Sequence, residues 1–203
     1  MKLSVLIPVY NQQDLVIKAL DHLPRRNDIE VIVRDDGSKD KTLFRLLAYV
    51  DSHPDLNLTV YANEKNMGVA YTKNRLIESA KGNYIHFHDS DDYVDTGLYG
   101  GLIDKLWDAD VYVIDLIVNS GAVYEINEGN HKIYCAQIAR LIRRKFAEGL
   151  MFPEDVRAGD DGYYAVELEN RNPKTVYTGI PAYYYNYPRE GSLTDMRLKG
   201  LLP

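Results

Sequence analysis

Short apolar runs alternate with segments of helical period through the first hundred residues of this chain. Leu3 to Ile7 is nearly continuous in apolar residues, the pattern of a strand covered on both faces. Leu15, Ile17, Ala19, Leu20 and Leu23 then fall at helical spacing, and Pro24 closes that segment. Ile29 to Val33 repeats the buried-strand pattern and ends in Arg34-Asp35-Asp36-Gly37-Ser38. Leu43, Leu46, Leu47 and Val50 predict a second helix, Leu56 to Tyr61 a third strand, and Val69 to Ala80 a helix bounded by Gly68 and Gly82. Tyr84 to Phe87 is a fourth strand, running into His88-Asp89-Ser90-Asp91-Asp92. Strand and helix in strict alternation with short connections predict an α/β fold: a mostly parallel central sheet with helices on both faces.

Beyond Trp107 the rhythm changes. Asp110 to Val118 predicts one more apolar strand, and Ala122 to Ile126 with Lys132 to Tyr134 a hairpin around Glu128-Gly129-Asn130. Ile138, Leu141, Ile142 and Phe146 share one helical face, with Arg140, Arg143, Arg144 and Lys145 opposite. Met151 to Asp161 reads as a polar loop, Tyr163 to Leu168 as a helix, and Thr175 to Tyr187 as one or two tyrosine-rich strands. No internal repeat and no linker divides the chain. The second half reads as a small C-terminal elaboration on the same sheet, giving one domain, in keeping with 203 residues.

Composition narrows the picture. A formal net charge of −6 argues against whole-surface attraction to nucleic acid or an anionic bilayer. Cys135 is the only cysteine, which excludes an intrachain disulfide, and it is expected to be a small buried hydrophobe. The apolar run in Met1 to Pro8 is too short for a signal peptide, and none approaches the ~18–20 residues of a membrane span. A cytoplasmic location is expected.

The polar clusters collect where ligands bind in such sheets, beyond the carboxyl ends of strands. Tyr10-Asn11 follows the first strand, Asp35-Asp36-Gly37-Ser38 the second, and Asp89-Ser90-Asp91-Asp92 the fourth. Carboxylates at alternate positions, as in Asp89 and Asp91, can converge on a hard cation such as Mg²⁺ or Mn²⁺ that keeps room for phosphate oxygens. The same loop could instead cap the helix beginning near Thr96. Asp35 and Asp36 could accept hydrogen bonds from a base N–H or a ribose hydroxyl, or the turn could place Asp36 or Ser38 as N-cap of the next helix. Two acidic clusters at one sheet edge repel unless a cation or hydrogen-bond donors meet them, which favours a ligand site. Asp160-Asp161, after Gly159, could supply a general base or simply complement a helix dipole.

Taken together these segments resemble the family 2 inverting glycosyltransferases of the GT-A, Rossmann-like fold. The matching stretches are Ser4 to Asn11, Glu30 to Asp40, Asn66-Met67-Gly68-Val69-Ala70 and Gly82 to Asp92, resuming at Gly159-Asp160-Asp161 and Ser192-Leu193-Thr194. The resemblance implies a nucleotide-sugar-binding half over 1–109 and an acceptor-side half over 110–203. It implies that Pro8 and Tyr10, with Asn11 beside them, line the base pocket, and that Asp36 with Asp35 hydrogen-bonds the base. Asp89, with Ser90 next to it, would meet the ribose or the metal, and Asp91 would ligate the divalent cation, Mn²⁺ or Mg²⁺, bridging the diphosphate. Asp161 matches the general base, and Asp160 stands where many members have glutamate. Lys73 lies where many members have arginine; it would offer charge near the phosphates or be a solvated helix residue. Arg189 would contact the diphosphate.

The implied activity is transfer of a sugar from a nucleotide-diphosphate sugar, with uridine as the expected nucleoside, to an acceptor hydroxyl of open class, by one metal-assisted displacement with inversion. The rivals are a catalytically inactive nucleotide-sugar-binding or interaction module, and a nucleotidyltransferase; Val9 to Gln13 lacks the glycine-rich basic loop the latter would want. His86 and His88, on one face of the fourth strand, are expected to be packed and hydrogen-bonded rather than metal-binding. Tyr183-Tyr184-Tyr185 and Tyr187 are expected to pack in the core.

Overall fold

The computed structural model describes residues 1–130, 137–155 and 160–190. In chain order the elements are β1 (Leu3–Val9), α1 (Leu15–Asp21), β2 (Ile29–Asp35), α2 (Thr42–Ser52), β3 (Leu58–Ala62), α3 (Val69–Ser79), β4 (Tyr84–Phe87), β5 (Tyr93–Val94) and α4 (Thr96–Asp104). There follow β6 (Val111–Val113), β7 (Leu116–Val118), β8 (Val123–Tyr124), a 3₁₀ turn over Gln137–Ala139, β9 (Arg140–Arg143), α5 (Asp160–Asn170), β10 (Thr175–Tyr177) and β11 (Tyr183–Tyr185).

A seven-stranded sheet in the order β10-β6-β9-β4-β1-β2-β3 forms the centre, and a four-stranded sheet in the order β5-β11-β7-β8 lies beside it. β1 pairs in parallel with both β2 and β4, Leu3 facing Ile29 on one side and Tyr84 on the other. With a core strand on each side and helices on both faces, β1 has no solvent face, which is why its apolar run does not alternate. The steps from β1 to β2 to β3 run one way across the sheet, and the step to β4 returns past β1. Right-handed crossovers therefore put α1 and α2 on one face and α3 on the other. Gly82 lets β4 start hard against β1: a Cβ there would lie 2.5 Å from the Ser4 nitrogen.

Two expectations for the second half are corrected. The segment read as a helix over Ile138 to Phe146 is strand β9 from Arg140 to Arg143, antiparallel to both β4 and β6. Without it the outer edge of β4 would hold buried, unpaired backbone groups, and that cost overrides a local periodicity that fits either element. Of the arginines placed opposite that apolar face, Arg140 is buried, and Arg143 donates to the Ala109 carbonyl at 2.9 Å. The single strand expected from Asp110 to Val118 breaks at Ile114-Asp115. Asp115 is buried and accepts from the Ile126 N–H at 2.9 Å, so the chain leaves the central sheet and enters the second one. β8 pairs antiparallel with β7; the second arm of the expected hairpin, Lys132 to Tyr134, lies outside the described residues, as do Cys135, Gly159 and Ser192 to Thr194. The terminal tyrosine segment forms two strands, β10 and β11, in different sheets.

Candidate active site

The carboxyl ends of β1 and β4 lie where the chain reverses its direction across the sheet, the point at which such sheets open a crevice. Pro8 is half-buried there, while Tyr10 and Asn11 are exposed. Asn11 adopts a positive φ of 52° and stitches two loops together. Its N–H donates to the Ser38 hydroxyl and its carbonyl Oδ1 accepts from the Lys39 N–H, both at 2.8 Å.

Asp35 and Asp36 are buried and face donors supplied by the protein. Asp35 accepts from the Ser38 N–H at 3.0 Å and from the Ser38 hydroxyl. Asp36 accepts from Asn63 Nδ2 at 2.8 Å, the Met67 N–H at 2.8 Å and the Gly68 N–H at 2.9 Å. The loop over Asn63 to Gly68 is thereby folded onto the second turn. Gly37 makes this possible, with φ at +70° and room for no Cβ, which would sit 2.5 Å from the Lys65 carbonyl carbon. Neither Asp36 nor Ser38 caps α2, which starts at Thr42 with its N–H on Asp40 at 2.9 Å.

The loop after β4 does not cap α4 either; Asp95 does, accepting from Gly97 and Leu98. Asp92 is buried, with one carboxylate oxygen on the Tyr183 hydroxyl and the other on the Asn186 N–H, each at 2.8 Å. The Tyr183 hydroxyl also accepts from the Asp89 N–H at 3.0 Å. Asp91 forms an ion pair with Arg189, Nε to Oδ2 at 2.5 Å. Ser90 is buried. Burial, reinforced by the charge of Asp91, pushes the Asp89 carboxyl up to about 7; the Lys73 ammonium pulls it down in part, and Asp161 and Asp160 add to the push. Asp92 is raised too, by burial first and then by Asp89 and Asp91.

Asp160 and Asp161 open α5, and the ammonium of Lys73 from α3 lies 3.0 Å from Asp160 and 2.6 Å from Asp161. Lys73 is only 5% exposed, which rules out the solvated-residue alternative. Burial works against its charge, yet Asp161 and Asp160 outweigh burial and its proton affinity is raised. The structure thus brings together the loops after β1, β2 and β4, the start of α5, and Arg189. It directs Lys73 at the two α5 carboxylates, and Asp36 at its own loop.

Among the described residues no group of three or more His, Cys, Asp or Glu side chains forms a ready-made metal cage. The donor set still fits a hard divalent cation, which takes oxygen ligands and commonly fills its shell with water and phosphate. Asp91 already holds a cationic stand-in, the Arg189 guanidinium, and Asp89 beside it lacks a counter-charge at hydrogen-bonding distance among the described contacts. His86 and His88 do not join that set. His86 is buried between the Tyr99 hydroxyl at 2.5 Å and the Ile138 carbonyl at 2.7 Å. His88 meets the Asp89 carbonyl at 2.8 Å through Nδ1. Burial lowers their pKa values to about 4 and about 3 respectively.

Residues 4–159 match the family model described as glycosyl transferase family 2. The chain belongs to that family. It is 26% identical to the poly(ribitol-phosphate) beta-glucosyltransferase of Bacillus spizizenii over 94% of this chain and 33% of that protein. It is likewise 26% identical to the Staphylococcus aureus poly(ribitol-phosphate) beta-N-acetylglucosaminyltransferase TarS, over 94% of this chain and 36% of that one. The chain therefore spans about a third of the length of these curated relatives. Among solved structures, S. aureus TarS 1-349 in complex with UDP-GlcNAc superposes with a TM-score of 0.77 at 25% identity, covering 95% of this chain and 60% of that one. A mannosyltransferase from Pyrobaculum calidifontis, in complex with GDP-Man and Mn²⁺, gives a TM-score of 0.74 at 20% identity over 94% of this chain and 58% of that one, a likeness of fold. The central sheet is that of the GT-A fold.

Within this family frame, several residues of the site escape a reading of the sequence. Tyr183 was expected only to pack, yet its hydroxyl ties Asp92 to the Asp89 backbone. Asn63 holds Asp36, and Gln137 donates to the Asp161 carbonyl at 3.1 Å. Asn74, next to Lys73 in the sequence, anchors the segment ahead of α5. None of these has a sequence signal of its own.

Proposed function

We propose that this chain is an inverting, metal-dependent glycosyltransferase that takes a UDP-sugar as donor. The observation behind the proposal is the convergence of Asp89, Asp91 and the Asp160-Asp161 pair on one crevice at the switch point of a family 2 sheet. Pro8, Tyr10 and Asn11 border the base, and Asp35 and Asp36 hold the loops that shape its pocket. Asp91 and Asp89 hold the cation, and Ser90 and Arg189 face the diphosphate. The cation, when bound, neutralises charge growing on the leaving diphosphate. The nucleotide-binding work falls to residues 1–109 and the acceptor side to 110–203.

In the reaction the acceptor oxygen attacks the anomeric carbon while its proton passes to the carboxylate of Asp161. The bond from that carbon to the diphosphate oxygen breaks, and its electron pair leaves with the nucleoside diphosphate. One displacement inverts the configuration. The names of the relatives, both poly(ribitol-phosphate) glycosyltransferases, make a polyol-phosphate polymer the first acceptor to try.

Calorimetry of UDP and GDP with and without Mn²⁺, followed by UDP release from UDP-GlcNAc, tests the proposal. UDP binding that needs the metal and exceeds GDP binding is expected, with slow hydrolysis of the donor in the absence of acceptor. Binding without turnover, even with polymer acceptors, would leave a sugar-nucleotide-binding module instead. No binding of either nucleotide overturns the proposal.

A further inference from the structure

We propose that Lys73 and Asn74, adjacent residues of α3, form a two-point clamp that positions the base of the reaction. The inference rests on Asp161 being that base.

Asn74 is buried and takes hold of Phe152 as a strand partner would. Its Oδ1 accepts from the Phe152 N–H at 2.8 Å, and its Nδ2 donates to the Phe152 carbonyl at 2.9 Å and to the Glu154 carboxylate at 2.9 Å. One end of the segment leading to α5 is thereby fixed to α3. Lys73 fixes the other end through Asp160 and Asp161. The two grips are joined through Phe152. Its ring lies 4.8 Å beneath the Lys73 ammonium and stacks on Tyr164 of α5 at 4.3 Å and 14°. Gln137, from the turn ahead of β9, holds the Asp161 carbonyl.

The arrangement departs from the role a basic residue here was expected to play. A cation serving the diphosphate should reach into the crevice. The Lys73 ammonium is instead enclosed by two carboxylates and an aromatic face, and it is the charge complement of the base pair. Asp161 keeps 42% of its side chain exposed, open to an acceptor on the side that Lys73 does not occupy. Because Lys73 grips an oxygen of that carboxylate, it sets the direction in which the other can take a proton, and misplacement of a reacting group by ~1 Å can cost ~10²-fold in rate.

The test uses the Mn²⁺-loaded chain, UDP for affinity and UDP-GlcNAc hydrolysis for turnover, which needs no identified acceptor. Asp161→Asn is measured first; wild-type turnover there overturns the base assignment itself, before Lys73 is touched. With that assignment standing, Lys73→Met should lower the hydrolysis rate about 10–100-fold while UDP affinity stays within about threefold. Lys73→Arg should recover most of the rate. Adding Lys73→Met to Asp161→Asn should cost less than about twofold more, because groups that act as one unit are not additive. A tenfold loss of UDP affinity at unchanged saturated rate would assign the ammonium to the donor and overturn the clamp. Losses that multiply in the double variant would do the same. Should Lys73→Met fail to fold, Lys73→Gln with Asp160→Asn removes the ammonium and one charge together. That pair must still lose about tenfold in rate, and a wild-type rate in it overturns the clamp.

Discussion

Asp160-Asp161 and Asp89-Ser90-Asp91-Asp92 are both acidic runs at the mouth of one sheet, but their charges are met differently. The first pair closes on a buried lysine that belongs to the same fold. In the second, Asp92 is spent on Tyr183 and Asn186, Asp91 borrows a mostly buried arginine from beyond β11, and Asp89 is pushed up to about 7. One cluster is complete within the protein. The other is short of positive charge in the way a cation site is before its cation arrives. Repulsion between carboxylates, read from sequence as a sign of a ligand, therefore points to the β4 loop and away from the α5 pair.

The largest effect that could break this contrast is on turnover. Asp161→Asn should lower the rate about 10²–10⁴-fold while fold and UDP affinity survive, because an amide cannot take the acceptor proton. If Asp161 only complements the start of α5, asparagine serves about as well and turnover persists. Steady-state UDP release decides between them. Next in size is Asp91→Asn, expected to weaken UDP binding in Mn²⁺ by about tenfold or more. In metal-free buffer the same substitution should change little, and equal losses with and without Mn²⁺ would remove Asp91 from the metal.

A smaller effect lies in stability against pH. Asp89 in the folded chain, at about 7, stands above its ordinary value of 3.8, so its contribution is full below about pH 4 and lost as pH rises through 7. His86, lowered by burial to about 4, works the other way: its contribution is full above about pH 6.5 and lost as pH falls toward 4. Asp89→Asn should then raise the stability at pH 8 by on the order of 1–3 kcal/mol, read as a higher melting temperature, and leave it unchanged at pH 4. Saturating Mn²⁺ and UDP should erase that advantage, since ligand bound to the native state stabilises the wild type. A gain that is equal at pH 4 and pH 8 would show that Asp89 carries no uncompensated charge.

The same contrast explains what could be read from residues alone. Strands buried on both faces and separated by helices leave apolar runs, so β1 to β4, α1 to α3 and the polar segments at the strand ends were legible. The second half was less so, because its elements are decided by distant pairing. Ile138 to Phe146 has a period that suits a helix, and only the open edge of β4 makes it β9. The ends of Lys73 and Asn74 lie on residues 78 to 88 positions away. Tyr183 crosses to Asp92 over 91 positions. No local pattern encodes such contacts. Asp36 shows the reverse case: its place at a strand end was legible, but the Asn63 to Gly68 donors that occupy it were not.

The smallest expected effect concerns Arg189, the stand-in on the charge-poor cluster. An ion pair of partly exposed groups is worth about 0.2–1 kcal/mol, so the guanidinium competes only weakly with a divalent ion for Asp91. Arg189→Gln should remove that competition and strengthen binding of Mn²⁺ alone by about 1.4–5-fold, the span those energies correspond to. Once UDP is present the sign should reverse. An arginine released from Asp91 is free to meet the diphosphate, and glutamine cannot supply its charge, so UDP affinity in Mn²⁺ should fall in the variant. Manganese titration followed by electron paramagnetic resonance, without and then with UDP, reads both directions in one sample. If Mn²⁺ alone binds more weakly to Arg189→Gln, the arginine supports the metal loop rather than standing in for the metal. The Asp91 contact would then be a brace, and the β4 cluster would be as self-contained as the pair on α5.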